Sequence, residues 1–142
     1  MTHISFYYGV ADRLQAAAQW LVRPGRRTMR IAILAAEREQ AALDRLLWES
    51  PAIGFLPHCR ATHRDANETA VLLADELSAI PHHECVLNLT DGIPAGFERF
   101  ERMVEIISHH DSDRLPGRQR YRYYRDHGYQ IENTDMSRGF SA

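Results

Sequence analysis

The sequence predicts an α/β domain, a three-layer sandwich in which helices cover a mostly parallel sheet. Two observations lead there. Short apolar runs of strand length, at residues 4–8, 30–36 and 84–89, alternate with longer segments whose apolar residues recur at helical spacing. The run Ile31, Ala32, Ile33, Leu34 is apolar without alternation, which suits a strand buried on both faces, as in parallel sheets.

In order along the chain, residues 4–8 are β-branched and aromatic and stop at Gly9, the pattern of a first strand. Asp12 then caps a helix carrying Leu14, Ala17, Ala18, Leu21 and Val22, and Pro24 and Gly25 end it. Residues 30–36 form the second strand, so the chain opens as a β-α-β unit with a right-handed crossover. Residues 37–49 are helical, with Leu43, Leu46 and Leu47 on one face and Glu37 and Glu39 in the first turn, where the helix dipole favours acids. The polar stretch 58–68 reads as a loop, followed by strands near 71–73 and 84–89. Phe97, Phe100, Met103, Val104 and Ile107 then follow helical spacing and predict a helix packed on the sheet. After a break at 112–117, residues 118–127 predict a further helix ending at Gly128, with a short last strand at 129–131. The whole chain, 1–142, is expected as one domain whose residues 132–142 form a loosely ordered tail.

Several chemistries are excluded by what is missing. No apolar run approaches the ~20 residues of a membrane helix, and no secretory signal pattern opens the chain, so a cytoplasmic location is expected. The turn after the first strand lacks G-x-G-x-x-G, and without any lysine there is no P-loop, so no nucleotide site or cofactor is expected. Cys59 with His58 and His63, and Cys85 with His82 and His83, lack the spacing of metal-binding motifs. No serine sits on a nucleophile elbow, and no catalytic set can be named, so an enzyme is not expected. The formal net charge of −2 provides no bulk attraction for nucleic acid.

Positive charge is instead concentrated locally. Between Arg114 and Arg125 there are five arginines and no acid. On a helix Arg118, Tyr121, Arg122 and Arg125 share one stripe, in which guanidinium groups offer forked hydrogen bonds to carboxylates and a tyrosine ring offers apolar area. That pairing suits an acidic peptide ending in a hydrophobic residue and a free carboxylate. Two other readings compete: a surface in which the arginines are solvated and Tyr121, Tyr123 and Tyr124 point into the core, and a direct binder of single-stranded nucleic acid. A second patch is Trp48 with Phe55 and Pro57. Trp48 lies off the leucine stripe of its helix, and an exposed aromatic and proline cluster marks a protein contact.

Three stretches together resemble the chi subunit family of bacterial DNA polymerase III: Phe6-Tyr7, L-W-x-x-P-x-x-x-F-x-P-H at 47–58, and R-x-R-Y-R-x-Y-R-x-x-G-Y at 118–129. The resemblance implies a Rossmann-like fold with no nucleotide, and a non-catalytic accessory role in the clamp-loader complex. It also implies partnership with the psi subunit and capture of the acidic C-terminal tail of single-stranded-DNA-binding protein, so that contact with nucleic acid is indirect. Carried onto this chain, the tail site is Arg118, Tyr121, Arg122 and Arg125, and the second partner surface is Trp48, Phe55 and Pro57. Arg122 stands where the family commonly has lysine, which keeps the charge but changes reach and hydrogen bonding.

Overall fold

A computed structural model describes residues 1–23, 28–49 and 56–137. Its centre is a seven-stranded sheet, all parallel, built from β1 (His3–Val10), β2 (Ile31–Leu34), β3 (His58–Arg60), β4 (Val71–Ala74), β5 (Cys85–Asn88), β6 (Arg102–Ser108) and β7 (Ile131–Asp135). The spatial order is β3-β4-β2-β5-β6-β1-β7. Helices α1 (Arg13–Leu21) and α2 (Glu37–Trp48) pack on one face, and α3 (Asp111–Asp126) packs on the other.

Burial on both faces explains the unbroken apolar strands. Ile31 and Ile33 join the cluster under α1 and α2, while Ala32 and Leu34 join the cluster under α3; Val71 and Leu73 against Leu72 and Ala74 repeat the alternation. Asp12 caps α1 by accepting the Gln15 N–H at 2.9 Å, as its position before the apolar repeat predicts. The first turn of α2 carries Glu37 and Glu39.

The structure departs from the sequence reading in four places. Residues 97–107 do not form a helix: a short 3₁₀ turn at Phe97–Arg99 leads into β6. The spacing of Met103, Val104, Ile106 and Ile107 fits either period, and insertion between β5 and β1 buries both faces of this β-branched run, where a surface helix would bury one stripe. The expected loop at 58–68 supplies the edge strand β3, recruited by pairing with β4. The helix expected from residue 118 starts at Asp111 and runs through Pro116 and Gly117. Pro116 forfeits a bond to the Ser112 carbonyl, on an exposed residue that water can satisfy. Gly117 lets α3 approach the sheet so closely that a Cβ there would sit 2.5 Å from Cδ1 of Ile107.

The last correction concerns the end of the chain. Residues 132–135, expected within a loose tail, belong to β7 in register with β1, and Met136 is buried beneath α1 and β1. Strand addition satisfies the otherwise bare edge of β1, a gain no local pattern records. Residues 138–142 lie outside the described residues, as does the expected stop of α1 at Pro24 and Gly25.

Candidate functional site

Helix α3 divides its side chains between two environments. Gly117, Arg120 and Tyr124 turn toward the sheet and are buried, whereas Arg118, Arg122 and Arg125 point outward and are exposed. Tyr121 stands between them, half-buried, its ring edge-on to Phe6 with centroids 5.3 Å apart. The alternative of three inward tyrosines therefore holds fully for Tyr124 and in part for Tyr121, which packs against the same core cluster. Tyr123 is exposed and stacks on His127 at 4.0 Å.

Arg118 and Tyr121 open onto a groove of about 290 Å³ between α3 and the carboxyl end of β1. Phe6, Ile107 and Gly117 help form its apolar floor, and Tyr8, Arg114 and Arg118 lie at its rim. Asn133 of β7 donates to the Tyr121 hydroxyl at 3.4 Å. Arg122 and Arg125 continue the same helix face but do not line the groove; Arg125 pairs with Asp126 at 3.2 Å. The structure thus joins two of the four stripe residues to one concavity and adds Arg114, whose guanidinium is held by Asp111 at 2.6 Å. Such a groove can receive an apolar side chain against its floor and a carboxylate at the Arg118 rim.

What fixes this presentation is a carboxylate that sequence reasoning missed. Glu105, in the middle of β6, is fully buried and accepts from Arg120 Nε at 3.1 Å, from the Tyr124 hydroxyl at 2.8 Å and from Asn88 Nδ2 at 2.9 Å. Arg120 and Tyr124 are one helical turn apart, so a single anion sets the rotation of α3 and turns the opposite face outward. Burial, with the adjacent Glu105 carboxylate, pushes the Tyr124 phenol well above the usual tyrosine range, so it remains a donor. An acid inside the strongly apolar run 103–107 was the available signal.

At the carboxyl ends of β5 and β6, where doubly wound folds hold nucleotides, the Arg13 side chain occupies the base of the crevice. Arg13 donates to the carbonyls of Ile106, Leu89, Asn88 and Thr90 at 2.7 to 3.2 Å, with Glu105 3.9 Å away. Burial lowers its guanidinium pKa, against the raising effect of Glu105. The wider cleft above, about 500 Å³, is lined by Asp12, Glu39, Asp91 and Asp113, a charge that repels phosphate.

The second patch is partly visible. Trp48 ends α2 with 62% of its surface exposed, and its ring lies 5.8 Å from that of His58. His58 is held by Asp44 at 2.8 Å and by the Leu56 carbonyl at 2.7 Å, so both ring nitrogens are occupied. Pro57, one residue before it, is exposed, and Phe55 lies outside the described residues. Among the described residues no three His, Cys, Asp or Glu side chains gather as a metal site, and no helix is long and apolar enough to cross a membrane.

Fold and site together define an α/β protein with an all-parallel sheet, carrying an arginine and tyrosine groove on one helix. The family model described as DNA polymerase III chi subunit, HolC, matches residues 1–132, and the chain belongs to that family. Among curated relatives, DNA polymerase III subunit chi of Pseudomonas aeruginosa is 28% identical over 143 residues, covering 97% of this chain and 99% of that protein. The subunit of the same name from Escherichia coli K12 is 28% identical over 122 residues, covering 84% of this chain and 79% of that protein.

Proposed function

We propose that this chain is a non-catalytic accessory subunit of the bacterial replicative DNA polymerase, working in the cytoplasm within the clamp-loader complex. In this reading it links the replicase to single-stranded-DNA-binding protein by capturing that protein's acidic C-terminal tail. The observation that carries it is the groove on α3, where Arg118 stands at the mouth of a floor made by Phe6, Ile107 and Tyr121. The apolar end of the tail enters the groove, its carboxylate meets Arg118, and acidic residues farther along the tail run past Arg122 and Arg125. Trp48 at the end of α2, together with Pro57 and the Phe55 of the same sequence segment, is the docking face for psi or an equivalent replisome partner. Direct capture of single-stranded nucleic acid is less favoured, because Asp111 and Asp126 at the two ends of α3 pair with Arg114 and Arg125 and interrupt the positive charge a continuous phosphate backbone would need.

Titration of a labelled acidic tail peptide into the purified chain tests this reading. Loss of a charge-assisted contact in Arg118→Ala should weaken binding about tenfold or more, and rising salt should weaken wild-type binding. Equal affinities of wild type and Arg118→Ala, or equally tight binding of a naked oligonucleotide, would refute it.

A further inference from the structure

We propose that His109 is a third cationic contact of the groove on α3, so that the groove's hold on an acidic chain end strengthens as pH falls through the range where histidine gains charge. This rests on the reading of the groove as an acidic-tail site and deepens it by adding a specificity-determining residue.

His109 follows β6 directly. Its backbone N–H donates to the Val10 carbonyl at 2.9 Å, which anchors it beside the irregularity that Gly9 introduces at the end of β1. Its exposed side chain lines the groove together with Tyr8, Arg114 and Arg118, and also borders the neighbouring cleft beside Gln15 and Gln19 of α1. The adjacent His110 packs against it, with ring centroids 4.4 Å apart, yet the two differ in commitment. His110 directs Nε2 to the Ala11 carbonyl at 3.1 Å, whereas neither ring nitrogen of His109 has a hydrogen-bond partner among the described residues. A ring at the rim with unspent nitrogens is placed to meet a ligand.

The surrounding charges make its proton count. Arg114 is already paired with Asp111, so Arg118 is the groove cation with no carboxylate partner among the described residues. One further positive charge therefore alters the local field by a large fraction. From α3, Arg114 and Arg118 share the groove with His109, and His110 stacks against its ring. From the start of α1, Asp12 lines the neighbouring cleft with it, and at the end of β7 Asp135 accepts the Ser137 N–H at 2.9 Å. An incoming carboxylate favours the charged form of a histidine ring beside it, and by linkage the charged ring tightens the hold on the carboxylate. Histidine is the side chain whose charge changes between about pH 5 and 8, a range in which peptide carboxylates stay ionised.

The test is a titration of a labelled acidic peptide ending in an apolar residue and a free carboxylate, at low salt, from about pH 8 to about pH 5.5. Wild type, His109→Gln and His110→Gln are compared, with circular dichroism confirming the fold of each at both ends. Wild-type affinity should rise about three- to fivefold toward the acid end, the size of one exposed ion pair. His110→Gln should keep that slope and His109→Gln should lose it. Saturable binding with the same pH slope in wild type and His109→Gln overturns the role of His109 alone. Absence of saturable binding at every pH overturns the groove as a tail site, and His109 with it.

Discussion

Replacing Glu105 by glutamine should destabilise the fold more than any exposed substitution, because its carboxylate is the buried anion facing two arginines. Glu105 has no exposed surface, Arg120 only 2%, and Arg13 lies 3.9 Å away. Glutamine preserves volume and one acceptor oxygen for Tyr124 or Asn88, but it removes the charge and turns an NH₂ toward neighbours that are themselves donors. Arg120 Nε would then keep no ionic partner, and its Nη2 already has none among the described residues. Breaking a buried pair from one side costs about 3–5 kcal/mol, a large share of the ~5–15 kcal/mol by which a domain is stable. Urea unfolding followed by circular dichroism measures this as a midpoint lowered by about 2 M. Adding Arg120→Met to Glu105→Gln should recover part of the loss, since the uncompensated cation goes with it. A loss below about 1 kcal/mol, the size expected for a solvent-facing glutamate, would refute the network as the clamp on α3.

Three further outcomes are expected. Gly117→Val should lower stability by about 2–3 kcal/mol, since its side chain must displace Ile107 where a Cβ alone falls 2.5 Å from Cδ1; thermal unfolding unchanged from wild type would contradict the close approach. His82 is buried, and burial lowers its pKa from the ordinary 6.5 against the raising effect of a backbone hydrogen bond at Ala70. The unfolded chain therefore takes up this proton first, so the stability due to neutral His82 is complete above about pH 6.5 and is lost as pH falls toward the lowered folded value; His82→Leu should flatten that limb of the stability profile, and an unchanged slope would count against it. Trp48→Ala, exposed at the end of α2, should leave the unfolding midpoint and tail-peptide affinity near wild type while removing the second partner in a binding assay with purified psi; retention of that partner would dismiss the patch.

The elements legible in the sequence are those whose local pattern has one solution. Asp12 before an apolar repeat specifies α1, and the short runs 31–34, 71–74 and 85–88 are bounded and apolar enough to specify strands. Residues 102–108 misled because Met103, Val104 and Ile107 satisfy a helical period as well as burial on two faces, and the choice between them comes from β1 and β5 on either side. β3 and β7 carry little apolar signal of their own; they exist because edges of β4 and β1 offer unpaired backbone groups. Pro116 and Gly117 read as a break, yet a proline near the start of a helix forfeits little, and a glycine pressed on Ile107 is what close packing of α3 requires.

The candidate site divides in the same way. That Arg118, Tyr121, Arg122 and Arg125 share a face follows from the 3.6-residue period alone, since spacing along one helix is a local property. Which of them border a concavity, that Arg114 and His109 join them, and that Arg120 turns inward are consequences of Glu105 in β6 and of β7 lying beside β1. Composition and periodicity therefore determined the layered α/β architecture and a cationic stripe on one late helix. Only the tertiary structure decided where the groove lies and what orients it, because those contacts join residues distant in the chain and no local preference encodes their meeting.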